Sequence, residues 1–542
     1  MPLPIADLDY RSRYYQVSIA QHIKGSRMAR SKTGLIPVRP ALLAFLTLLV
    51  LFSAILILAF ARAVDTWNWV AWSVMPLIAF NAMWISGGAA TSVLGLFAPK
   101  VKRVAPSDTP KPRGNTAILI TLCGEQPEPV ANYLQCLVDG LKAINLGDKT
   151  HIYVLSDTAA PAAACEERAV GGLVEAGQVI YRRRAVRTNR KPGNIADWLA
   201  NHGASFDYMV VLDADSRMSP DSINHLIWEM ETNPDLGLCQ ANISLVPART
   251  RFGKYQRVTS RILSRTFGQG FAAWSGDSGN YWGHNAIIRV SAFRAAAHLP
   301  CLSGSAPLGG SILSHDFIEA AWIRRAGWRV ALSPNLPGSA EDAPQTLGEF
   351  FKRDRRWCQG NLQHMRLVGE PGLHSLSRLH LLSGIFSYLA APIWLLLLAL
   401  LTSGQIEIWG FLPVLLIALV LLVPKLCALI EAMPRAKTTR RRRTLLRAWS
   451  YELVLSTVLA PIIILRQASF VGSIALGRDC GWKSSETKSI RLPQGWAEAG
   501  VGLAMLALAA INGTQGAFWM VLVILPLLSA PFLMPKLDEV VR

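Results

Sequence analysis

Hydrophobic positions along the chain fall into two regimes. Toward both ends they form long uncharged blocks, and through the middle they form short apolar runs separated by amphipathic stretches. The blocks Ala41–Ala61 and Trp67–Pro99 come first, each long enough for a helix to cross a bilayer, which takes about 20 residues. Trp67, Trp69 and Trp72 crowd the start of the second, as in the aromatic belt where a span meets lipid headgroups. The blocks resume as Leu381–Ser403 and Ile408–Ile430, a hairpin with a very short connection, and as a last hairpin, Ala499–Ile511 and Gly516–Met534. Lys425 interrupts the second of these and must snorkel or face protein. Ala448–Leu465 is also apolar but holds Glu452 and Pro461, between the basic stretches Arg435–Arg447 and Arg466–Arg491. As a span it would put one basic stretch outside, against the bias of cations toward the cytoplasm. An interfacial or re-entrant helix is therefore predicted there, with six spans in all and both termini inside.

From Asn115 to about Gly372 the runs Thr116–Leu122, His151–Ser156, Gln178–Tyr181 and Tyr208–Leu212 read as strands. Amphipathic stretches alternate with them, which predicts a mainly parallel sheet with helices on both faces. The predicted order is a basic cytoplasmic N-terminus (1–40), two transmembrane helices (41–99) and a cytoplasmic α/β domain (105–375) behind a Pro- and Lys-rich linker. A hairpin (381–430), a cytoplasmic basic segment with the interfacial helix (431–497) and a second hairpin (499–534) follow. No small-residue cleavage site follows the first block, so an anchor is expected rather than a removed signal peptide.

At 542 residues and 51% hydrophobic, the chain is too oily for a purely soluble protein. Its net charge of +19 suits cytoplasmic loops of a membrane protein and a site for anionic phosphates. Nucleic acid is not an expected partner, because the cations hug the apolar blocks and no nucleic-acid-binding module is recognisable. The eight cysteines are scattered without a C-x-x-C pair, which fits reduced thiols better than a disulfide framework or a zinc site.

The candidate chemistry begins where Tyr208–Leu212 ends in Asp213-Ala214-Asp215. Strand side chains alternate, so the two carboxylates share a face at the end of the sheet where ligands bind in open α/β folds. They repel unless a cation sits between them, and hard oxygen donors suit Mg²⁺ or Mn²⁺. The alternative is a solvated acidic turn. Glu125 and Asp157 follow two other strands; each residue type is also common at turns and helix starts. The basic turn from Arg182 to Asn194, with Lys191, either meets a phosphate or is a solvated face. Trp282-Gly283-His284-Asn285, after Tyr281, suits a sugar ring, whose C–H face stacks while its hydroxyls are bonded; an aromatic core is the alternative. Asp316 heads a helix as base or as cap, and Lys352–Asn361 sets four cations around Trp357 just before a span.

In this order the motifs resemble a processive family-2 glycosyltransferase of the cellulose-synthase type. The strings YWGHNAIIR (281–289), LSHDFIEAAWIRRAGW (313–328), LPGS (336–339) and RDRRWCQGNL (353–362) resemble the glucans biosynthesis glucosyltransferase H family, which polymerises the backbone of osmoregulated periplasmic glucans. The resemblance implies an α/β nucleotide-sugar transferase domain, GT-A-like with a mainly parallel sheet, inserted in an α-helical polytopic membrane domain. It implies a bacterial inner-membrane enzyme with its catalytic domain in the cytoplasm. UDP-glucose, the growing glucan chain and the bilayer are its partners, and it leaves room for a periplasmic glucan-modifying protein. By the same resemblance Asp157 lies near the uridine, with Glu125 and Lys191 also on the nucleotide-sugar side. Asp213 and Asp215 hold UDP and metal, and Asp316 is the general base. Arg356 contacts pyrophosphate and Trp357 stacks the acceptor sugar, with Trp282, Gly283, His284 and Asn285 beside it.

Three departures accompany the resemblance. Arg353 stands where the Q-x-x-R-W signature has Gln, and Ser314-His315-Asp316 replaces the Thr-Glu-Asp of cellulose synthases. Phe470–Lys483, where those synthases carry a gating loop, is only loosely similar. The N-terminus is short beside longer family members, so a regulatory role of such an extension is expected to be absent. One inverting displacement would give a β-linkage, and β-1,2 follows from the resemblance alone. A non-processive transferase with a lipid-phosphate acceptor and a transporter with an inactive sugar-nucleotide domain are the competing readings.

Overall fold

A computed structural model describes residues 40–98, 110–296, 298–481, 494–511 and 517–541. The basic N-terminus, most of the linker, the link inside the last hairpin and the end of the candidate gating loop lie outside the described residues. The first two helices, α1 (Pro40–Ala63) and α2 (Trp69–Phe97), match the first two apolar blocks. Asn68 caps α2 by accepting from the Ala71 N–H, and Trp69 and Trp72 remain exposed.

The α/β domain follows as β1 (Thr116–Leu122), α3 (Pro127–Ala143), β2 (Thr150–Ser156), α4 (Ala160–Glu175), β3 (Val179–Arg183), α5 (Arg190–Asn201) and β4 (Tyr208–Asp213). It continues with β5 (Arg217–Met218), α6 (Pro220–Thr232), β6 (Leu236–Ala241), β7 (Ser244–Leu245), α7 (Arg251–Ser275), β8 (Ala286–Arg289) and α8 (Val290–Ala296). It closes with α9 (His315–Arg325), β9 (Arg329–Ser333), β10 (Ser339–Glu341) and α10 (Leu347–Gln363). Seven strands form one sheet in the order β3-β2-β1-β4-β8-β6-β9. The sheet is parallel except that β8 runs antiparallel to both neighbours. A small sheet, β5-β10-β7, stands beside it.

Period-2 alternation explains the burial. Ile118, Ile120, Val210 and Leu212 enter one core with Leu134 and Leu137 of α3 and Leu226 of α6. Leu119, Met209 and Val211 enter the opposite core with Ile195 and Trp198 of α5 and Ile323 of α9. With both faces covered, the strands are nearly continuous apolar runs, as in buried parallel sheets. The register pairs Thr121 with Asp213, so the ends of β1, β2 and β4 open onto one edge.

The remaining helices are α11 (Ser375–Thr402), α12 (Leu412–Ala432), α13 (Thr439–Ala475), α14 (Trp496–Ile511) and α15 (Ala517–Asp538). Among the described residues, α1, α2, α11, α12, α13 and α15 are long and apolar enough to cross a membrane, whereas α14 has 16 residues. Lys425 faces protein: its ammonium pairs with Glu452 at 2.6 Å and donates to Ser456 at 2.9 Å. Ala448–Leu465, expected as an interfacial or re-entrant helix, lies inside the continuous 37-residue α13, without the turn a re-entrant segment requires. The helix runs about 55 Å, and the α/β domain accompanies it. Leu459 and Ile462 pack in one cluster with Phe252 of α7 and Leu347 of α10. Farther on, Gln467 donates to Asp354 at 3.1 Å and Arg355 to Ser473 at 3.2 Å.

Candidate active site

Asp213 ends β4, where Thr121 of the paired strand donates to its carboxylate at 3.2 Å. Lys191, at the start of α5, reaches across to donate to the same carboxylate and, at 2.7 Å, to the Gly283 carbonyl. Two consecutive left-handed residues, Asn189 and Arg190, aim that helix start. Burial pushes the Asp213 carboxyl up, but the Lys191 and His284 charges outweigh it and hold it at about 2. Its side chain is still 36% exposed, so it forms the floor of an open cleft. Asp215 behaves oppositely. Burial, then the Asp213 and Glu341 charges, push its carboxyl up to about 6. Two carboxylates facing one space are driven apart in this way when no cation joins them.

The residues fit a divalent ion. Among the described residues no group of three or more His, Cys, Asp or Glu could hold a metal, so protein alone does not complete a coordination shell. Two hard carboxylates with the remaining ligands left to a diphosphate is the usual arrangement for Mg²⁺ or Mn²⁺.

Asp157, just past β2, is held by Arg184 through two bonds of 2.7 Å, and Arg187 donates to the carbonyls of Asp157 and Thr158. The basic turn is thereby folded onto the carboxylate end of the sheet. Glu125 is exposed and accepts from the Cys123 N–H, closing the turn after β1.

The 281–285 loop passes behind these groups. Gly283 has φ +90°, and a Cβ there would sit 3.6 Å from Asp316 Oδ2. A side chain is thus disfavoured by the backbone, and its Cβ would rest in ordinary contact with Asp316. Trp282 donates its N–H to Gln240 at 2.9 Å, and its half-buried ring faces Phe271. His284 and Asn285, expected beside an acceptor sugar, lie beneath the cleft instead. Asn285 is 0% exposed, with its amide donating to Ser339 Oγ and the Ala340 carbonyl. His284 is buried between Ser216 and Glu341, the latter at 3.2 Å. Burial pulls its imidazole down, but Asp213 and Glu341 outweigh that and raise it, so the acidic groups around it favour the charged imidazolium.

Asp316 occupies the first turn of α9. Burial raises its carboxyl; His315 opposes that and Glu319 adds to it. The α10 helix braces this start. A Cβ at Gly360 would come 2.6 Å from the Ser314 N–H nitrogen, and the His364 ring bonds the Ser314 carbonyl at 2.8 Å. Gly360→Ala is accordingly expected to shift α9 and lower sugar transfer while costing about 1–3 kcal/mol of stability by overpacking. Unchanged turnover together with unchanged thermal unfolding would remove this bracing role.

One residue absent from the sequence reading links the parts. Glu341, on the three-residue β10, binds His284 and also Arg353 of α10, each at 3.2 Å. The Arg353 guanidinium lies over the Trp357 ring at 4.5 Å. The departure from the Q-x-x-R-W signature therefore has a defined place: Arg353 ties the 44%-exposed indole to the group beneath the acidic pair. Burial, then the Arg353 charge, press the neighbouring Arg356 guanidinium down, as at a place that favours an added anion. No local pattern marks Glu341, since its partners are brought to it only by the small sheet.

Residues 118–296 match glycosyl transferase family 2, and residues 208–423 match glycosyl transferase family group 2. A curated relative from Vibrio cholerae serotype O1 (strain ATCC 39541), named glucans biosynthesis glucosyltransferase H, is 39% identical over 457 residues, covering 78% of this chain and 63% of the relative. One of the same name from Rhodopseudomonas palustris (strain TIE-1) is 42% identical over 396 residues, covering 68% of this chain and 55% of the relative. The chain thus spans about three-fifths of the length of the curated relatives it matches. A solved mannosyltransferase from Pyrobaculum calidifontis, in complex with GDP-Man and Mn²⁺, is 15% identical, with TM-score 0.43 over 70% of this chain and 97% of that one. Residues 118–296 thus carry a glycosyl transferase family 2 domain, built on a mostly parallel sheet. The chain is a homologue of the proteins named glucans biosynthesis glucosyltransferase H, as its motif strings imply.

Proposed function

We propose that this protein is an inverting, membrane-embedded glucosyltransferase that extends a β-glucan from UDP-glucose and passes it across the bacterial inner membrane. One observation carries the reading. Lys191 joins Asp213 to the Gly283 carbonyl, Gly283 lies against Asp316, and Glu341 ties His284 to Arg353, whose guanidinium lies over the exposed Trp357.

The chain's own groups divide the work. Asp213 and Asp215 would hold Mg²⁺ or Mn²⁺, which when bound neutralises the charge developing on the UDP leaving group. Lys191, Arg184 and Arg356 bring positive charge to the same side, and Asp157 with Glu125 borders the nucleotide. Asp316 accepts the proton of the attacking sugar hydroxyl, a weak nucleophile at neutral pH. Direct displacement inverts the anomeric centre. Trp357 then stacks the new terminal sugar, and stacking tolerates the sliding that a processive enzyme requires. The β-1,2 linkage of a periplasmic glucan backbone rests on the family resemblance that the matching strings carry.

Incubating the purified full chain with labelled UDP-glucose and Mg²⁺, then sizing and linkage-analysing the product, tests the reading. Long β-linked chains support it, whereas one transfer to a lipid phosphate overturns the processive part. Trp357→Ala separates these cases further. Loss of a stack of about 0.5–1.5 kcal/mol lowers acceptor occupancy, so products should shorten while UDP-glucose binding and slow hydrolysis persist. Full-length glucan at the normal rate removes the acceptor role.

In this reading α13 lies along the cytoplasmic membrane surface. Its support is that Leu459 and Ile462 share a cluster with α7 and α10, and that Gln467 and Ser473 bond Asp354 and Arg355 of α10. Single cysteines at Thr438 and Gly477 are expected to label only from the cytoplasmic side of sealed vesicles. Labelling of either from outside makes α13 a span.

A further inference from the structure

The sugar-transfer cleft leaves a second cavity unexplained. It measures about 680 Å³ and lies between α7 and the first turns of α13, with Val258, Arg261 and Ile262 on one wall and Arg440, Arg441 and Leu445 on the other. We propose that it binds the headgroup phosphate of an anionic phospholipid, with an acyl chain along its apolar wall. The proposal rests on the reading above in one respect, that α1, α2, α11 and α12 span a bilayer whose cytoplasmic surface lies at α7.

Charge is the first argument. The guanidinium groups of Arg261, Arg440 and Arg441 have no ion pair or hydrogen bond among the described residues. The carboxylates that flank the basic run are already engaged: Glu431 pairs with Arg265 and Arg435, and Glu452 with Lys425. Burial, then the Arg261 charge, press the nearby Arg257 guanidinium down, so the neighbouring arginines repel one another. A phosphate balances that charge well, because each planar guanidinium can offer two parallel N–H donors to phosphate oxygens.

Position and shape are the second. The α7 helix is pinned to the end of α2 at a glycine contact, where a Cβ on Gly270 would come 2.8 Å from the Thr91 carbonyl carbon. Nearer the cavity, Arg265 of α7 pairs with Glu431 at the end of α12 at 3.1 Å, which sets it where an apolar helix ends. Val258, Ile262 and Leu445 give the cavity a hydrophobic wall. A soluble phosphate would leave that wall facing water. A phospholipid satisfies both surfaces, and juxtamembrane cation clusters attract anionic lipid.

Native mass spectrometry of the detergent-purified full chain tests this, with phosphatidylglycerol, phosphatidylcholine and inorganic phosphate titrated separately. Phosphatidylglycerol is expected to be retained over phosphatidylcholine. Arg440→Gln and Arg441→Gln should each weaken it by about fivefold, the size of one juxtamembrane cation's attraction. Leu445→Trp, which fills the apolar wall and keeps every charge, should also displace the lipid. Equal retention of both lipids, unchanged binding in the variants, or phosphate binding as tight as the lipid's overturns the proposal. UDP binding read on the same samples keeps the two readings apart. Lipid lost with UDP retained concerns this cavity, while lipid retained without UDP-glucose turnover overturns the enzymatic reading alone.

Discussion

Asp316→Asn is expected to keep UDP binding and to lose about 10²–10⁴-fold in sugar transfer, the usual size of a general-base contribution. The amide preserves the shape beside Gly283 but cannot take the proton of an attacking hydroxyl. Calorimetric UDP binding and turnover on one sample measure both quantities, and wild-type turnover in the variant ends the assignment. The pH dependence gives a second signature. Burial raises the Asp316 carboxyl from its ordinary value, so transfer should fail on the acid side at a higher pH than for an ordinary aspartate. Stability runs the other way. A carboxyl whose folded pKa is raised contributes stability that is present below its unfolded pKa and lost as pH rises through the folded one. At neutral pH the Asn variant should therefore unfold at a temperature no lower than wild type. A residue serving only as a helix cap would lose stability on replacement and leave turnover largely unaffected.

Asp215→Asn is expected to lower transfer by about 10²–10³-fold, the size of one removed electrostatic stabiliser of a developing negative charge. Excess EDTA should do the same to the wild type. The motive is the split between its carboxyl, pushed up to about 6, and that of Asp213, held at about 2. Lys191 satisfies only one member of the pair. A readout besides turnover is thermal unfolding with UDP present. Mn²⁺ should raise the wild-type midpoint and leave the variant's unmoved. Undiminished transfer in EDTA, or an equal Mn²⁺ effect on both proteins, shows that the pair serves another purpose.

Some of this was readable in advance because its cause is local. Period-2 apolar runs with both faces hydrophobic can only be buried strands, and β1 matches the residues expected, Thr116–Leu122. Long uncharged blocks likewise become helices wherever they fold. Asp213 ends β4 at the open edge of the sheet as the apolar run predicts, while Asp215 follows in the turn beyond the strand. Chemistry that depends on a single residue type at a strand end or helix start thus stood out in the linear chain.

What tertiary structure decided concerns partners far apart in sequence. Nothing near Lys191 announces that it meets Asp213, 22 positions away, or the Gly283 carbonyl, 92 away. His284 and Asn285 resemble sugar-binding groups in the chain, yet β10 covers them, and burial makes them framework. Glu341 was invisible because a lone glutamate acquires meaning only when His284 and Arg353 arrive on either side. The length of α13 was hidden too. Pro461 and Glu452 read as interruptions, whereas Lys425 neutralises the glutamate and the helix runs on through the proline. The sequence by itself determined elements, faces and the acidic edge, since backbone geometry and hydrophobic period act over a few residues. The tertiary structure alone decided which charges are paired, which polar groups are enclosed and which aromatic face stays open, because each depends on neighbours that only folding supplies.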